Sequence, residues 1–168
     1  GNGVVTINNA TLSSGVTFPA GHVISIKAVT LQNTAISTSS TSYQAVSQLD
    51  LSINRTSGTH LFYFLQGGGG FNSYNSRSIY VVIRRTDGTS YSSTNETNLS
   101  GADSEGHMRI YSSTEVITPY SIMAYDNASV SGNKTYRTFY KAAVGSVDFQ
   151  NTDRGMITAS IMEFIPST

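Results

Sequence analysis

The sequence has no cysteine and no tryptophan, and only 12% of its 168 residues are charged. The absence of cysteine excludes disulfides, thiolate catalysis and cysteine-ligated zinc or iron–sulfur sites. The ten basic and ten acidic side chains cancel, so we expect neither nucleic acid nor an anionic membrane surface as a partner. No apolar run approaches the roughly 18 residues of a membrane span, and no charged-then-apolar leader opens the chain. We therefore expect no membrane insertion and no signal peptide.

Helical periodicity is also scarce, because no stretch keeps a 3.6-residue apolar rhythm for three turns. Ser and Thr together supply 46 residues, and runs of alternating apolar and polar residues recur along the chain. The run at 60–65 is apolar on both faces, which is typical of a strand covered on two sides. The sequence therefore predicts an all-β fold of antiparallel sheets, in a sandwich, jelly roll or barrel. The predicted strands are 23–29, 48–53, 60–65, 78–84, 107–111, 116–125, 134–144 and 156–165.

The first 21 residues differ from the rest of the chain. Two short β-prone segments, 4–7 and 16–18, are separated by Asn and Ser-Gly punctuation, and Pro19-Ala20-Gly21 precedes the first long strand. A segment this small cannot hold a core of its own. We predict that residues 1–21 form an N-terminal neck that needs partner chains, and that residues 22–168 form a β-sandwich head.

Glycine and proline predict several turns. Asp87-Gly88 between two β-prone stretches is the signal for a type I′ hairpin. Pro119 indicates an edge strand or a bulge, since proline cannot donate to a sheet. Gly67-Gly68-Gly69-Gly70 lacks the following lysine and helix of a phosphate-binding loop. We interpret it as a flexible turn.

The sequence carries no motif that indicates catalysis. It has no phosphate-binding Gly-Lys loop, no His-Glu-x-x-His, no Gly-x-Ser-x-Gly and no EF-hand spacing. Nothing among the ten acidic residues selects a pair for glycoside hydrolysis. We predict a protein that is not an enzyme and that needs no cofactor.

The three histidines, His22, His60 and His107, each begin a predicted strand and lack the close spacing of a metal site. Asp103, Glu105 and His107 alternate, so all three side chains point the same way if the segment is extended. They are a candidate cation-binding or acid–base cluster. The alternative interpretation is a solvated loop that enters a strand.

Aromatic residues are more suggestive, since the chain has ten Tyr and seven Phe. Two predicted loops place aromatic rings beside amides and hydroxyls. A ring that stacks on a sugar, next to hydrogen-bonding amides, is how uncharged carbohydrate is bound. Packing within the sandwich or at a subunit interface is the alternative. The candidate ligand-binding residues are Phe71, Asn72, Tyr74, Asn75, Tyr91 and Asn95.

One segment is familiar: residues 11–24 read TLSSGVTFPAGHVI. This string resembles a linker in bacteriophage tail-fibre and related virion proteins, where it leads from the fibre shaft into a C-terminal β domain. The Ser/Thr-rich 37–43, the LDLSI strand at 49–53 and the closing ITASIMEFI at 157–165 are also similar to that family. Residues 67–106 have no counterpart in it.

The resemblance implies a homotrimer of jelly-roll heads on the exterior of a virion, joined to other virion proteins through the neck. It implies a tail-fibre tip that attaches to a host by binding a cell-surface glycan or envelope component, and no catalytic residues carry over. A purely structural virion protein, such as a capsid decoration or head fibre, is the alternative. A polysaccharide depolymerase is disfavoured, because such enzymes are usually longer and carry the repeats of a β-helix.

Overall fold

The computed structural model describes residues 19–67, 72–73, 77–99, 106–112, 119–150 and 155–167. Within these ranges the chain forms strands joined by turns and two short 3-10 helices, Ser47–Leu49 and Ser93–Asn95, with no α-helix. No helix in the described ranges has the length and apolarity needed to cross a membrane. The strands are β1 (Val23–Gln32), β2 (Ile36–Thr38), β3 (Gln44–Ala45), β4 (Leu51–Arg55), β5 (His60–Gly67), β6 (Asn72–Ser73), β7 (Arg77–Asp87), β8 (Glu96–Asn98), β9 (Met108–Ser112), β10 (Tyr120–Asp126), β11 (Gly132–Ala142), β12 (Val147–Gln150) and β13 (Met156–Phe164).

The all-β prediction is confirmed, and each of the eight predicted runs overlaps a strand. One boundary differs, because the predicted strand 48–53 begins inside a 3-10 turn and becomes regular only at Leu51. Leu49, Leu51 and Ile53 are nevertheless all buried, as their alternation predicts. Pro119 immediately precedes β10, which is an edge strand, so the edge prediction is also confirmed.

Three antiparallel sheets organise the strands. The four-stranded sheet has the order β1-β13-β5-β10. In the six-stranded sheet β11 and β7 pair at the centre, with β3 and β4 along the free side of β11 and β8 and β9 along the free side of β7. A small sheet has the order β2-β12-β6.

The core lies between the four-stranded and six-stranded sheets. Alternation along β5 buries Leu61, Tyr63 and Leu65 on the inner face. The Tyr63 hydroxyl lies 2.8 Å from the Thr138 hydroxyl of β11, so the two sheets are hydrogen-bonded at the centre of the core. Burial raises the pKa of Tyr63, and the phenol stays neutral.

The small sheet closes one end of this core. Phe149 of β12 is fully buried, with its ring centroid 5.5 Å from that of Tyr120 and 5.2 Å from that of Tyr140. Tyr120 belongs to the four-stranded sheet and Tyr140 to the six-stranded sheet. One phenyl ring therefore joins all three sheets through apolar contact.

A buried ionic network closes the other end. Asp126, the last residue of β10, accepts hydrogen bonds from Arg55 Nη1 at 2.9 Å and from the Tyr136 hydroxyl at 2.8 Å. Arg85 Nη1 donates to both carboxylate oxygens of Asp126. Burial alone raises the pKa of Asp126, but the hydrogen bonds from Arg85 and Tyr136 and the two guanidinium charges lower it overall. The carboxylate is therefore ionised and ties the two sheets together.

The type I′ hairpin prediction at Asp87-Gly88 is wrong. Gly88 does have a positive φ of 107°, but the next strand, β8, begins only at Glu96. The residues between form a long loop that folds back over the sheet, because strand hydroxyls bind its carbonyl oxygens. Residues 1–18 of the predicted neck and the glycines 68–70 lie outside the described residues.

Candidate functional site

The outer face of the six-stranded sheet combines aromatic rings with basic side chains. Because Ile79, Val81 and Ile83 of β7 point into the core, the residues between them point outward. The same alternation holds on the paired strand β11. The outward residues that concern us are Tyr80 and Arg84 of β7, Arg137, Phe139 and Lys141 of β11, Arg109 of β9, Tyr43 before β3, and Tyr91 in the loop after β7. We call this set the cation–aromatic face.

Cations and rings alternate across this face. Arg109 Cζ lies 5.4 Å and Lys141 Nζ 5.2 Å from the Tyr80 ring centroid. Lys141 Nζ is also 4.4 Å from the centroid of Tyr43, whose other neighbour is Arg84 at 5.2 Å. Each such contact orients a flexible charged side chain against an aromatic ring.

The row continues from Arg84 to Arg137. Arg84 Cζ is 4.9 Å from the Phe139 centroid, Phe139 packs against Tyr91 at 5.1 Å between centroids, and Arg137 Cζ lies 4.5 Å from the Tyr91 centroid. The backbone register sets this order, since β7 and β11 pair residue by residue here. A continuous strip of alternating cations and rings results.

Arg84 and Arg137 are directly opposite each other in the register, which places like charges side by side. Carboxylates offset this repulsion. Arg84 Nη1 donates to Glu96 Oε1 at 2.8 Å, and Arg137 Nε donates to Asp50 Oδ1 at 2.6 Å. The hydrogen bond and charge of Asp50 outweigh the effect of burial and raise the pKa of Arg137, so this guanidinium stays charged.

The loop that carries Tyr91 is held to the sheet through its backbone. Hydroxyls of three strand residues donate to three carbonyl oxygens of the loop: Ser52 to Thr89 at 2.9 Å, Thr135 to Gly88 at 2.9 Å, and Thr86 to Ser92 at 2.8 Å. These bonds fold the loop back over the outer face, and they place the Tyr91 ring beside Phe139 and Arg137.

Tyr91 is fixed at its hydroxyl as well. Its phenol donates to Glu96 Oε2, the carboxylate that also binds Arg84. Burial, together with the hydrogen bond and charge of Glu96, raises the pKa of Tyr91. The ring is therefore a rigid, neutral element of the face, with the apolar surface that a sugar ring can contact.

Of the residues predicted for ligand binding, Tyr91 is the one that the structure places on this face. Asn95 ends the adjacent 3-10 turn and is exposed. Asn72 is in β6 of the small sheet, where its backbone pairs with Asp148. Phe71, Tyr74 and Asn75 lie outside the described residues.

The sequence analysis missed the other members of the face. Their signal is visible in two predicted strands, where Tyr80 and Arg84 alternate with core residues, as do Arg137, Phe139 and Lys141. The sequence analysis considered aromatic residues in loops and did not consider the outward positions of these two strands. Basic or aromatic residues at every second position of β11, and on either side of Val82 in β7, are the pattern that would have found it.

His107, the histidine of the candidate cation cluster, has a structural use. Strand β8 pairs with residues 84–86 of β7 and strand β9 with residues 77–81, so Ile83 has no strand partner on this side among the described residues. His107 Nδ1 accepts a hydrogen bond from the Ile83 backbone N–H at 3.3 Å. Burial lowers the pKa of His107, against the opposing effect of a hydrogen bond to the Leu99 backbone.

The rest of that candidate cluster is not described: Asp103 and Glu105 lie outside the described ranges. Within those ranges no three His, Asp or Glu side chains are grouped as a metal ion would need. The cation-binding hypothesis for Asp103, Glu105 and His107 stays a prediction.

A second surface, on the opposite side of the molecule, is apolar. The outward residues of the four-stranded sheet carry no Asp, Glu, Lys or Arg in the described strands. Phe62 stacks against Phe164 at 5.1 Å and against Tyr125 at 4.9 Å between centroids. Ile26 and Met123 are 67% and 57% exposed. Around Phe62 the register aligns Ile26, Met162, Phe62 and Tyr125 in one row, and Ala28, Ser160, Phe64 and Met123 in the next. We call these two rows the apolar face.

A pocket of about 490 Å³ lies at one end of the four-stranded sheet. Its lining contains no carboxylate and no histidine, and burial raises the pKa of its one phenol, Tyr120. The pocket therefore offers no group ready to exchange a proton near neutral pH. It is lined by Gln66, Gly67, Tyr120, Ser121, Gly155, Met156 and Thr158.

No protein-family model matches the sequence, and no curated protein is significantly similar to it. The structure alone defines the class: an all-β protein of antiparallel sheets, with a cation–aromatic face on one side and an apolar face on the other.

Proposed function

We propose that this chain is the head of a bacteriophage fibre, on the exterior of the virion, and that it attaches to a host by binding a cell-surface glycan without cleaving it. The observation that carries the proposal is the cation–aromatic face. An aromatic ring can stack on the apolar face of a sugar, and hydrogen-bond donors beside the ring can bind the sugar hydroxyls. The cation–aromatic face holds both kinds of group rigidly side by side. The resemblance of 11–24 and 157–165 to fibre proteins supplies the virion context.

The buried carboxylates support a binding role. Asp126 is engaged by Arg55, Arg85 and Tyr136, as described above. Glu163 accepts from the Thr56 backbone N–H at 2.8 Å and from the Thr59 hydroxyl. Both acids thus serve to hold strands together rather than to face a substrate.

The apolar face supports the trimeric part of the proposal. Strand β5 is apolar on both faces, but only its inner residues are fully buried, and Phe62 and Phe64 are partly exposed. Contact with other copies of the chain would cover these rings, and an uncharged face meets its own copy without repulsion. The cation–aromatic face lies on the opposite side, so association leaves it free. Several weak sites on one assembly raise avidity without new contacts.

Binding of the protein to an array of bacterial surface polysaccharides tests the glycan proposal. We expect binding to a subset of the array, with affinity reduced about tenfold by Tyr80→Ala and by Tyr91→Ala, because each removes one ring from the face. Met156→Ala, on the opposite sheet, is the control and should bind normally. Binding that both tyrosine variants retain in full would contradict the assignment of this face.

Two other functions have their own tests. A structural virion protein shares the apolar face but needs no ligand, and antibody labelling of the capsid rather than the fibre would favour it. A depolymerase would release reducing sugar from host polysaccharide. Either result would replace the proposal made here.

A further inference from the structure

We infer that the glycan is anionic, and that its acidic group binds between Arg109 and Lys141 beside Tyr80. This inference rests on the proposed function, because it names the chemistry of the ligand of the same face. It also reverses an expectation from composition. A chain with no net charge gave no reason to expect an acidic ligand, yet four of its ten basic residues lie on this one face.

The four cations are not equivalent. Arg84 and Arg137 are each held by a carboxylate, Glu96 and Asp50 respectively, with side chains only 13% and 18% exposed. Their charges are largely offset, and much of their donor capacity is used. They support the aromatic strip rather than offer a new charge to a ligand.

Arg109 and Lys141 differ from them. In the part of the chain that the structure describes, no carboxylate lies within salt-bridge distance of either side chain. Arg109 is exposed, and its Nε is 3.4 Å from the Ser78 hydroxyl. That hydrogen bond uses Nε and leaves the two terminal nitrogens of the guanidinium to a ligand.

Tyr80 is the residue that brings these two charges together. It pairs with Lys141 on one side and with Arg109 on the other, so both cations flank a single ring. Tyr43 holds the ammonium of Lys141 from a second direction. Because the rings already restrict both side chains, binding an anion costs less conformational entropy than at free surface lysines.

A sugar carboxylate or sulfate fits this arrangement. Either group accepts several charge-assisted hydrogen bonds, and a guanidinium can bind it through two parallel donors. The Tyr43 and Tyr80 rings then lie beside the sugar that carries the acid. A neutral glycan in the same place would desolvate two cations without pairing them, which is unfavourable. The site therefore selects acidic sugars.

The test compares immobilised polygalacturonate, its carboxyl-reduced neutral counterpart, dextran sulfate and double-stranded DNA, each at about 50 and 150 mM salt. We expect at least one acidic polysaccharide to bind at least tenfold more tightly than the neutral polymer. The ratio of the two affinities should decrease at the higher salt concentration. The two acidic polymers distinguish carboxylate from sulfate. The double variant Arg109→Gln/Lys141→Gln should lose that advantage, by roughly 10- to 100-fold, as expected for lost hydrogen bonds to a charged group.

The control is Lys27→Gln, which removes one exposed positive charge from β1 of the four-stranded sheet. Lys27 Nζ donates to the Ser52 carbonyl at 2.7 Å, and the glutamine amide can keep that hydrogen bond, so we expect no change in binding. This inference is overturned if the neutral polymer binds as tightly as the acidic ones. It is also overturned if Lys27→Gln weakens acidic binding as much as the double variant does. Tight binding of DNA overturns it too, as a general affinity for polyanions. The unfolding midpoint of each variant is compared with that of the wild type, and an unchanged midpoint shows that a loss of binding is not caused by misfolding. A neutral polysaccharide of the array could bind and lose affinity in Tyr80→Ala and Tyr91→Ala. That result would support the glycan proposal and contradict only the specificity for acidic sugars.

Discussion

Arg85 Nη1 lies 2.8 Å from Asp126 Oδ1 and 2.7 Å from Oδ2, so one nitrogen of the six-stranded sheet bridges both oxygens of a carboxylate on the four-stranded sheet. Arg55 approaches the same carboxylate from β4. Two cations thus depend on one buried anion. Removing that anion leaves both guanidinium groups buried without a counter-charge, which is far more costly than the loss of one hydrogen bond.

The first prediction concerns this carboxylate. Asp126→Asn keeps the shape of the side chain but removes its charge, and we expect it to lower the free energy of unfolding by about 3–5 kcal/mol. Urea denaturation measures the change. The control is Asp87→Asn, since Asp87 is 62% exposed and its ion pair with Lys134 should be worth about 1 kcal/mol or less. Equal effects of the two substitutions would contradict the role of the buried network.

The second prediction follows from the lowered pKa of Asp126. A carboxyl group with a lower pKa in the folded state stabilises the protein above its unfolded pKa of 3.8. That contribution is lost as the pH falls below 3.8 and through the folded pKa. Urea midpoints measured between pH 2 and 7 should therefore fall steeply at the acid end. The fall should be shallower in Asp126→Asn, and identical slopes in the two proteins would refute the assignment.

The third prediction concerns His107, whose pKa is lowered in the folded state. The unfolded chain then binds a proton more readily than the folded one, so stability is complete above the unfolded pKa of 6.5 and falls as the pH drops below it. His107→Asn keeps an acceptor for the Ile83 backbone N–H and does not titrate. We expect the wild type to lose stability relative to this variant between pH 6.5 and 5. Parallel stability curves over that range would show that His107 does not cause the change.

The fourth prediction concerns self-association. Ile26 on the apolar face and Val144 beyond β11 are both 67% exposed, which makes them a matched pair. A lysine at an interface must be desolvated, whereas a lysine on a free surface stays hydrated. We expect Ile26→Lys to reduce the mass of the assembly in sedimentation and Val144→Lys to leave it unchanged. A wild-type mass of 18.0 kDa at micromolar concentration would remove the trimeric proposal.

Alternation was enough to predict strands such as β4, β5, β10 and β13, because buried residues alternate with more exposed ones along each of them. It places Leu49, Leu51 and Ile53 correctly on one buried face, and it also singles out β5 as apolar on both sides. The short strands were not predicted, because two to four residues are too few to show an alternating pattern of apolar and polar side chains. β12, for example, depends on Phe149 filling the space between Tyr120 and Tyr140, which only the assembled sheets define.

The candidate site was predicted only at Tyr91. That residue is prominent in a polar loop, but its neighbours are brought to it by strand register, which a single sequence does not reveal. The partners of Arg84 and Arg137 illustrate this: Glu96 is 12 residues from the first, and Asp50 is 87 residues from the second. Overall neutrality concealed a basic strip that the sheet assembles from separate strands.

The anchoring of the loop after β7 bears on how this surface can change over time. The side-chain donors are hydroxyls of Ser52, Thr86 and Thr135 on the strands. The loop contributes only backbone groups, namely three carbonyl oxygens and the N–H groups of Gly88 and Ser92. Every residue has the carbonyl oxygen and every residue except proline has the N–H, so a substitution that keeps the backbone conformation leaves these tethers intact. Gly88 is the exception, because its φ of 107° favours glycine. The loop can therefore acquire new side chains without losing its place beside Phe139. A chain built this way can change the side chains that one loop presents while the sheet that supports the loop stays the same.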